Sequence, residues 1–388
     1  MLITGHQYPV GTALTNRIRS YLEVLAEEGH EVRVIVYRPS EARKNVQNEH
    51  YGSLNGVSYI SSAHSVIKSK SPIAARFTWV FSYLNCLRLL YISNKKKHID
   101  VIIQASSRSS IIPFVYLLTR LFNIMFVLEN SEYPWFFLKK KISNLWNKPL
   151  YLGIYYKMFD GFLAMTTCLE KFHREHSKKT ASVFHLPMTV DMKRFNIDIS
   201  RENLITYVGN VSYNKDGVGI LLDAYLSIAD IFPDWKLMII GKTSRDNEIK
   251  VRAEAANLGD RVILMGSIHR DEVPILLCKS KILALARPNS LQSEGGFPTK
   301  LGEYLATGNL VVVTSVGEIP DYLEDSISAL IAKPGSVESF VDKLKQGIQN
   351  YDALKSVRAK GYEVCKSVFN AKVQAHHLSD FLIGLRGK

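Results

Sequence analysis

The chain has 388 residues, 46% apolar and 22% charged, with 23 Gly and 13 Pro. That is enough for two domains with packed cores, and it excludes the disordered, collagenous and low-complexity classes. The formal net charge of +13 is unevenly placed: residues 1–200 carry 26 Lys and Arg against 14 Asp and Glu, and residues 201–388 carry 23 against 22. A basic half beside a neutral half predicts an anionic partner for the first, with nucleic acid, a phospholipid surface and a phosphorylated substrate as the open classes.

Cys86, Cys168, Cys278 and Cys365 lie far apart without metal spacing, which predicts buried thiols in a reducing compartment. Met1–Thr4 runs straight into a Gly/Pro loop, so no secretory signal is read. Phe77–Leu87 and Ser109–Thr119, two of the longest charge-free apolar runs at 11 residues each, fall short of the ~18 or more of a membrane span. The expectation is a soluble cytoplasmic chain that touches the inner face of a membrane without crossing it.

Leu2–Thr4 reads as a short strand, followed by the loop Gly5–Gly11 and a helix over 12–28 with Leu14, Ile18, Tyr21, Leu22 and Leu25 at helical spacing. Gly29 stops that helix, and Glu31–Tyr37 alternates as a strand, completing a β-α-β unit. Residues 39–70 are polar and expected to form a loop or hairpin with a strand at Gly56–Ser61, and further strands are expected at Asp100–Gln104, Met125–Glu129, Gly161–Met165 and Val183–Leu186. Helices are expected over 72–92, 109–122 and 148–158, and residues 133–148 mix aromatics with four lysines.

The pattern restarts with a strand at Leu204–Val208, a loop Gly209–Gly217 and a helix Val218–Ile231. Strands Trp235–Ile240, Val262–Met265, Ile282–Ala286 and Leu310–Thr314 follow, interleaved with helices over 246–257, 271–279 and 298–307. Long helices over 336–350 and 353–385 close the chain. Two successive strand–Gly-loop–helix openings predict two Rossmann-like α/β domains, with the boundary inside 187–200.

The densest local signal is Ser293–Gly308, SEGGFPTKLGEYLATG. Gly295 and Gly296 permit close backbone approach to a ligand, followed by Phe297. Pro298 suits a first helical position, and the free amides beside it, with Thr299 and Lys300, form an anion site. Glu303, one turn on, is placed to accept hydrogen bonds from two neighbouring hydroxyls such as those of a ribose. A plain capped helix with an exposed Glu is the alternative. Lys215 and Arg287 follow strands of the same sheet and add positive charge at the same edge.

These residues resemble the GT-B glycosyltransferases of the large retaining family 4, part of the glycosyl transferases group 1. The matching pieces are VGN-x4-KDG at Val208–Gly217, the strand end Leu237–Gly241, Val190-Asp191 with Phe195, and Gly295–Gly308. Tyr8-Pro9 to Gly11, ahead of GHEV, looks like the family's N-terminal Gly loop. The resemblance implies domains over 1–190 (acceptor side) and 191–370 (nucleotide-sugar side) that face each other across a cleft. It also implies a helix over 371–388 crossing back to the first domain.

Carried over by position, Glu303 matches the second Glu of the family's E-x7-E and is implied to hold the nucleotide ribose. Lys215 is implied to contact the diphosphate, and Gly11 to turn its backbone to the donor phosphates. Three departures stand out. Gly295 occupies the place of the first Glu, so Glu294 is the nearest acid for the reacting-sugar side. Asn210 replaces the family's arginine, and Ser106-Ser107-Arg108 fill the loop that holds the family's first-domain histidine.

In the first domain, Glu129-Asn130-Ser131-Glu132 ends a strand, and Glu132 is the expected acid or base toward the acceptor. No D-x-D occurs, so transfer without a metal or other cofactor is expected. The implied partners are a nucleoside-diphosphate sugar, a glycan or polyprenyl-diphosphate-linked acceptor of bacterial surface polysaccharide synthesis, and an anionic leaflet docked by residues 133–148 and Lys95–Lys97. No nucleic-acid motif is present. A nucleotide-sugar epimerase and a non-catalytic sugar-nucleotide-binding homologue remain the two alternatives.

Overall fold

The computed structural model describes residues 1–44, 46–105, 110–134, 149–211, 213–242 and 246–387. They form two compact units, one of Met1–Thr189 with Ala371–Lys388, the other of Val190–Asn370.

The first unit is built on eight strands: β1 (Leu2–Thr4), β2 (Arg33–Val36), β3 (Tyr51–Leu54), β4 (Val57–Ser61), β5 (Val101–Ala105), β6 (Met125–Asn130), β7 (Gly161–Ala164) and β8 (Ser182–His185). Their order is β3-β4-β2-β1-β5-β6-β7-β8, parallel apart from the β3–β4 pair. Sequences such as RVIV and MFVLEN are near-continuous apolar runs because a parallel sheet is covered on both faces. One face buries Leu2, Val34, Ile103 and Val127 against Ile18, Tyr21 and Leu22 of the helix Ala13–Glu27, together with Leu378 and Leu385 of the last helix. The other buries Ile3, Ile35, Ile102 and Phe126 against Cys86 and Leu90 of the helix Pro72–Lys96, and Ile112 and Val115 of the helix Ile112–Leu121.

Arg17 lies on the buried side of the Ala13–Glu27 helix and pairs with Glu129 at the end of β6, each side chain 1% exposed. Its other amino group donates to the Leu186 carbonyl at 2.7 Å. Burial pushes the Glu129 carboxyl up from its ordinary value, while the Arg17 charge pulls it back. The pair therefore ties the first helix, the sheet centre and the segment after β8 into one polar contact inside an apolar core.

The second unit holds β9 (Glu202–Val208), β10 (Lys236–Ile240), β11 (Val262–Gly266), β12 (Ser280–Leu285), β13 (Leu310–Thr314) and β14 (Leu330–Ala332). Their order is β11-β10-β9-β12-β13-β14, all parallel. Strand order reverses between β9 and β12, which opens a crevice at their carboxyl ends.

Four expectations are corrected. β3 and β4 form the hairpin admitted for residues 39–70, whereas β14 is a strand that a short segment concealed, and Thr167–His176 is a helix capped by Thr166. The single helix expected over 353–385 is instead Lys355–Val364, a wider π-type turn Cys365–Phe369, and Ala371–Arg386. Its break has a tertiary cause. The Phe369 carbonyl accepts from Val190 N at 2.8 Å, and the Phe369 ring packs on Phe297 and Tyr322. Cys168 is exposed, unlike the other three thiols. Among the described residues no helix is long and apolar enough to cross a membrane.

Glu129→Ala leaves Arg17 buried without its counter-charge and is expected to cost about 3–5 kcal/mol. The double variant Arg17→Leu with Glu129→Leu is expected to lose less than the sum of the single losses. Urea unfolding checks both.

Candidate functional site

The crevice between β9 and β12 is organised by Lys300, the second residue of the helix Thr299–Ala306. Its ammonium lies 2.9 Å from Asp216 Oδ2, 2.9 Å from the Tyr207 hydroxyl, and 4.4 Å from the centre of the Tyr207 ring. The Tyr207 hydroxyl in turn stands 2.9 Å from Asp216 Oδ2 and 2.8 Å from the Asn210 carbonyl. Lys300 and Arg287 act directly on Asp216, and Lys215 and Arg287 both act on Lys300, so three cations gather at this edge. Burial lowers the Lys300 ammonium despite Asp216, whereas Lys300 and Tyr207 hold Asp216 below its ordinary value against the opposing effect of burial. The surplus is positive and fixed, which is what a bound diphosphate requires.

Two glycines make this closeness possible. Gly209 follows β9 with φ +140°, and a Cβ there would lie 2.5 Å from Lys300 Nζ. Gly217 has φ +68°, and a Cβ there would stand 1.8 Å from the Ala286 carbonyl. Any side chain at either place breaks the approach. Between them the expected loop contains one helical turn, Tyr213–Asp216, which carries Asp216 inward and leaves Lys215 exposed. Asn210 is exposed beside them.

The segment after β12 also differs in detail from expectation. A short helix, Leu291–Gly295, is capped reciprocally by Ser290 and Ser293, and Glu294 is exposed on it. Gly296 has φ −136°, an extended conformation open to any residue, so backbone freedom is not what selects glycine there. Arg287, 3% exposed, points its guanidinium at the carbonyls of Gln292 and Gly296 at 3.3 and 3.5 Å and stitches this segment to the strand end. The Phe297 ring turns inward against Tyr322 and Phe369, leaving its backbone for any ligand. Pro298 is the residue before the helix, not its first, and Thr299 opens it half-buried. Gly295, Gly296 and Pro298 are buried, and Gly308 ends the helix with φ +65°.

Glu303 is half-buried one turn into that helix, with Oε1 accepting from Arg194 at 3.3 Å. Arg194 also donates to the Arg270 carbonyl at 3.1 Å. Burial pushes the Glu303 carboxyl up, opposed by Arg194, Arg270 and Lys300. Sequence reasoning missed Asp216, Tyr207 and Arg194 as partners in this site. Asp216 and Arg194 lay inside the quoted segments Val208–Gly217 and Val190–Phe195, but nothing local said which way they point.

In the first unit, Gly11 lies in the loop before Ala13, where a Cβ would come 2.5 Å from Thr15 Oγ1. The loop is braced by Thr15 Oγ1 donating to the Gln7 carbonyl at 2.8 Å and by Asn48, which meets both backbone groups of Val10 at 2.7 and 2.8 Å. His6 is lowered from its ordinary value by burial. Glu132 is half-buried just past β6. Glu129, expected in the same polar cluster, is turned into the core by Arg17. The Ser106–Arg108 loop and residues 135–148 of the basic-aromatic stretch lie outside the described residues. Among the described residues, no three His, Cys, Asp or Glu side chains gather as a metal site.

Residues 190–364 match the family model described as glycosyl transferases group 1. A 2-deoxystreptamine glucosyltransferase of Streptomyces kanamyceticus is 24% identical over 154 residues, 40% of this chain and 38% of that one. A human phosphatidylinositol N-acetylglucosaminyltransferase polypeptide is 22% identical over 358 residues, 89% of this chain and 68% of that one. Among solved structures, HepE of Anabaena in complex with UDP shares the fold with a TM-score of 0.71 at 12% identity, covering 99% of each chain. The same protein has been solved with UDP-glucose.

The Asp216 carboxyl, held below its ordinary value by Lys300, contributes stability that is complete above about pH 5 and is lost as pH falls through its folded value. Lys300→Met removes the principal cause of that depression. Urea midpoints measured downward from about pH 5 are expected to fall more steeply in the wild type than in Lys300→Met.

Proposed function

We infer that this chain, a glycosyltransferase of the glycosyl transferases group 1 with the GT-B fold, transfers a sugar from a nucleoside-diphosphate donor to a lipid-linked acceptor. The observation that carries the donor reading is the gathering of Lys215, Lys300 and Arg287 at the β9/β12 switch point, with Asp216 paired to Lys300. Cleavage of the anomeric C–O bond leaves its electron pair on the diphosphate, adding one negative charge to the two already there, while an oxocarbenium-like centre develops on the sugar. Lys215, Lys300 and Arg287 stand at that edge before the reaction begins, so the leaving group meets positive side chains already in place. The first-turn amides of the Thr299–Ala306 helix add their dipole to the same charge. Transfer then needs no metal, in keeping with a sequence that lacks D-x-D.

Glu303 takes the ribose. Its carboxyl accepts from the vicinal hydroxyls, and Arg194 opposes the upward shift that burial imposes on it. Glu294, exposed on the short helix before this segment, faces the sugar, and Glu132 of the first unit serves the acceptor as acid or base. Retention at the anomeric carbon and placement in family 4 rest on the motif resemblance. A lipid-phosphate acceptor is supported by the human relative, whose name couples phosphatidylinositol to sugar transfer. A role in bacterial surface polysaccharide assembly, at the cytoplasmic face of the membrane, fits an acceptor of that kind.

A thermal-shift panel of nucleoside diphosphates and their sugars tests the donor reading: at least one must raise the melting temperature, and no response from any of them overturns it. Removing a charged acceptor of two hydroxyls in Glu303→Ala is expected to weaken UDP by about 10–100-fold. The same variant is expected to narrow the difference between UDP and its 2′-deoxy analogue. An unchanged difference removes Glu303 from the ribose site.

A further inference from the structure

The helix Pro72–Lys96 carries apolar side chains on both of its faces. Its inward face buries Cys86 and Leu90 in the sheet core and also holds small polar residues by hydrogen bonds. Ser82 Oγ donates to the Tyr37 carbonyl at 2.7 Å, Asn85 Nδ2 donates to the Ser62 carbonyl at 2.7 Å, and Ser93 Oγ accepts from Arg33 at 2.8 Å. Its outward face carries Ile73, Phe77 and Leu84, of which Phe77 is 74% exposed and Leu84 64%. A surface helix ordinarily confines its apolar residues to the core-facing stripe, and here a second apolar set faces out.

The neighbouring helix Ile112–Leu121 repeats this outward display. Ile112 and Val115 pack into the same core as Cys86 and Leu90, so both helices cover one face of the sheet. Phe114, Leu117 and Leu121 point away from it, with Leu117 70% and Leu121 74% exposed. The helices meet where Tyr83 lies 3.0 Å from Ser110 and the Tyr91 and Phe122 rings lie 5.7 Å apart. The apolar surface is therefore shared between two elements, beyond the scattered single residues that ordinary surfaces carry.

Charge selects the occupant. Neither helix contains an Asp or Glu, and Arg76, Arg88, Lys95 and Lys96 lie along the longer one. A second copy meeting this face across a two-fold axis would set these cations against their own duplicates. An anionic bilayer satisfies both features at once, with acyl chains for the aromatic and aliphatic side chains and headgroups for the Arg and Lys.

We propose that the paired helices Pro72–Lys96 and Ile112–Leu121 form a monotopic docking face that lies in the interface of an anionic membrane. Resting on the reading of a lipid-linked acceptor, the face brings the enzyme to the plane in which that acceptor is embedded. Its apolar contacts come from a different part of the chain than residues 133–148, although Lys95 and Lys96 belong to both readings. The 11-residue apolar run Phe77–Leu87 is too short to span, but lying flat it needs no such length.

Vesicle flotation of the full chain tests this. Wild type is expected to float with vesicles of phosphatidylcholine and phosphatidylglycerol and to remain below with phosphatidylcholine alone. The double substitution Phe77→Asp with Leu117→Asp changes exposed positions only, and is expected to lower partitioning more than about ten-fold. Its melting temperature and its response to UDP should stay those of the wild type. Equal flotation of wild type and variant, or no flotation of the wild type, overturns the proposal. So does a wild-type dimer that the same substitutions convert to monomer, because that assigns the face to a second copy. Loss of the UDP response in the wild type would instead contradict the donor reading and leave the flotation result interpretable.

Discussion

The ion pair between Lys300 and Asp216 is the contact on which the second unit's chemistry depends. It joins the first turn of one helix to the single helical turn ahead of another, across the point where strand order reverses. Desolvation makes such a pair expensive, and a well-packed apolar pair would be at least as stable there. Its retention makes sense as a device for holding charge in place. Asp216 partly offsets a cluster of cations that would otherwise repel one another in the absence of ligand, and Tyr207 fixes the geometry by touching both partners. Gly209 and Gly217 follow from the same constraint, because each removes the one Cβ that would hold the elements apart.

The first unit solves a parallel problem with Arg17 and Glu129, another ion pair sealed at the end of a strand. There the purpose is structural: the pair and the Arg17 contact to Leu186 lock the first helix against the sheet. The loop before that helix is braced independently by Asn48 and Thr15. In both units a strand-end loop is shaped by buried polar contacts between residues remote in sequence.

That remoteness sets what could be read in advance. The alternating strand and helix segments, the restart at Leu204 and the motif Gly295–Gly308 are local patterns, and the parallel sheets grew from them. β3 was legible only as an arm of an expected loop or hairpin, because YGSL has no apolar period, and β14 escaped because three residues carry no period at all. The break at Asn370 escaped for a different reason. No Gly or Pro marks it, and only the meeting of Phe369 with Val190 and the Phe297 ring stops the helix. Within the candidate site, Glu303 was read from its helix motif and Lys215 and Arg287 from strand-end position, whereas the neighbours Arg194, Asp216 and Tyr207 required the fold. The excess charge of the first half was legible too. Its meaning changed when the Pro72–Lys96 helix proved to hold its serines inward and its phenylalanines outward.

The central claim is that the cations at the β9/β12 switch are arranged for a diphosphate. Calorimetric titration with UDP and UMP measures this directly, as the affinity gained from the second phosphate. The wild type is predicted to bind UDP more tightly than UMP, and Lys215→Ala to lose most of that gain while keeping its affinity for UMP. Equal affinity for the two nucleotides in the wild type, or the same gain in Lys215→Ala as in the wild type, would contradict the account.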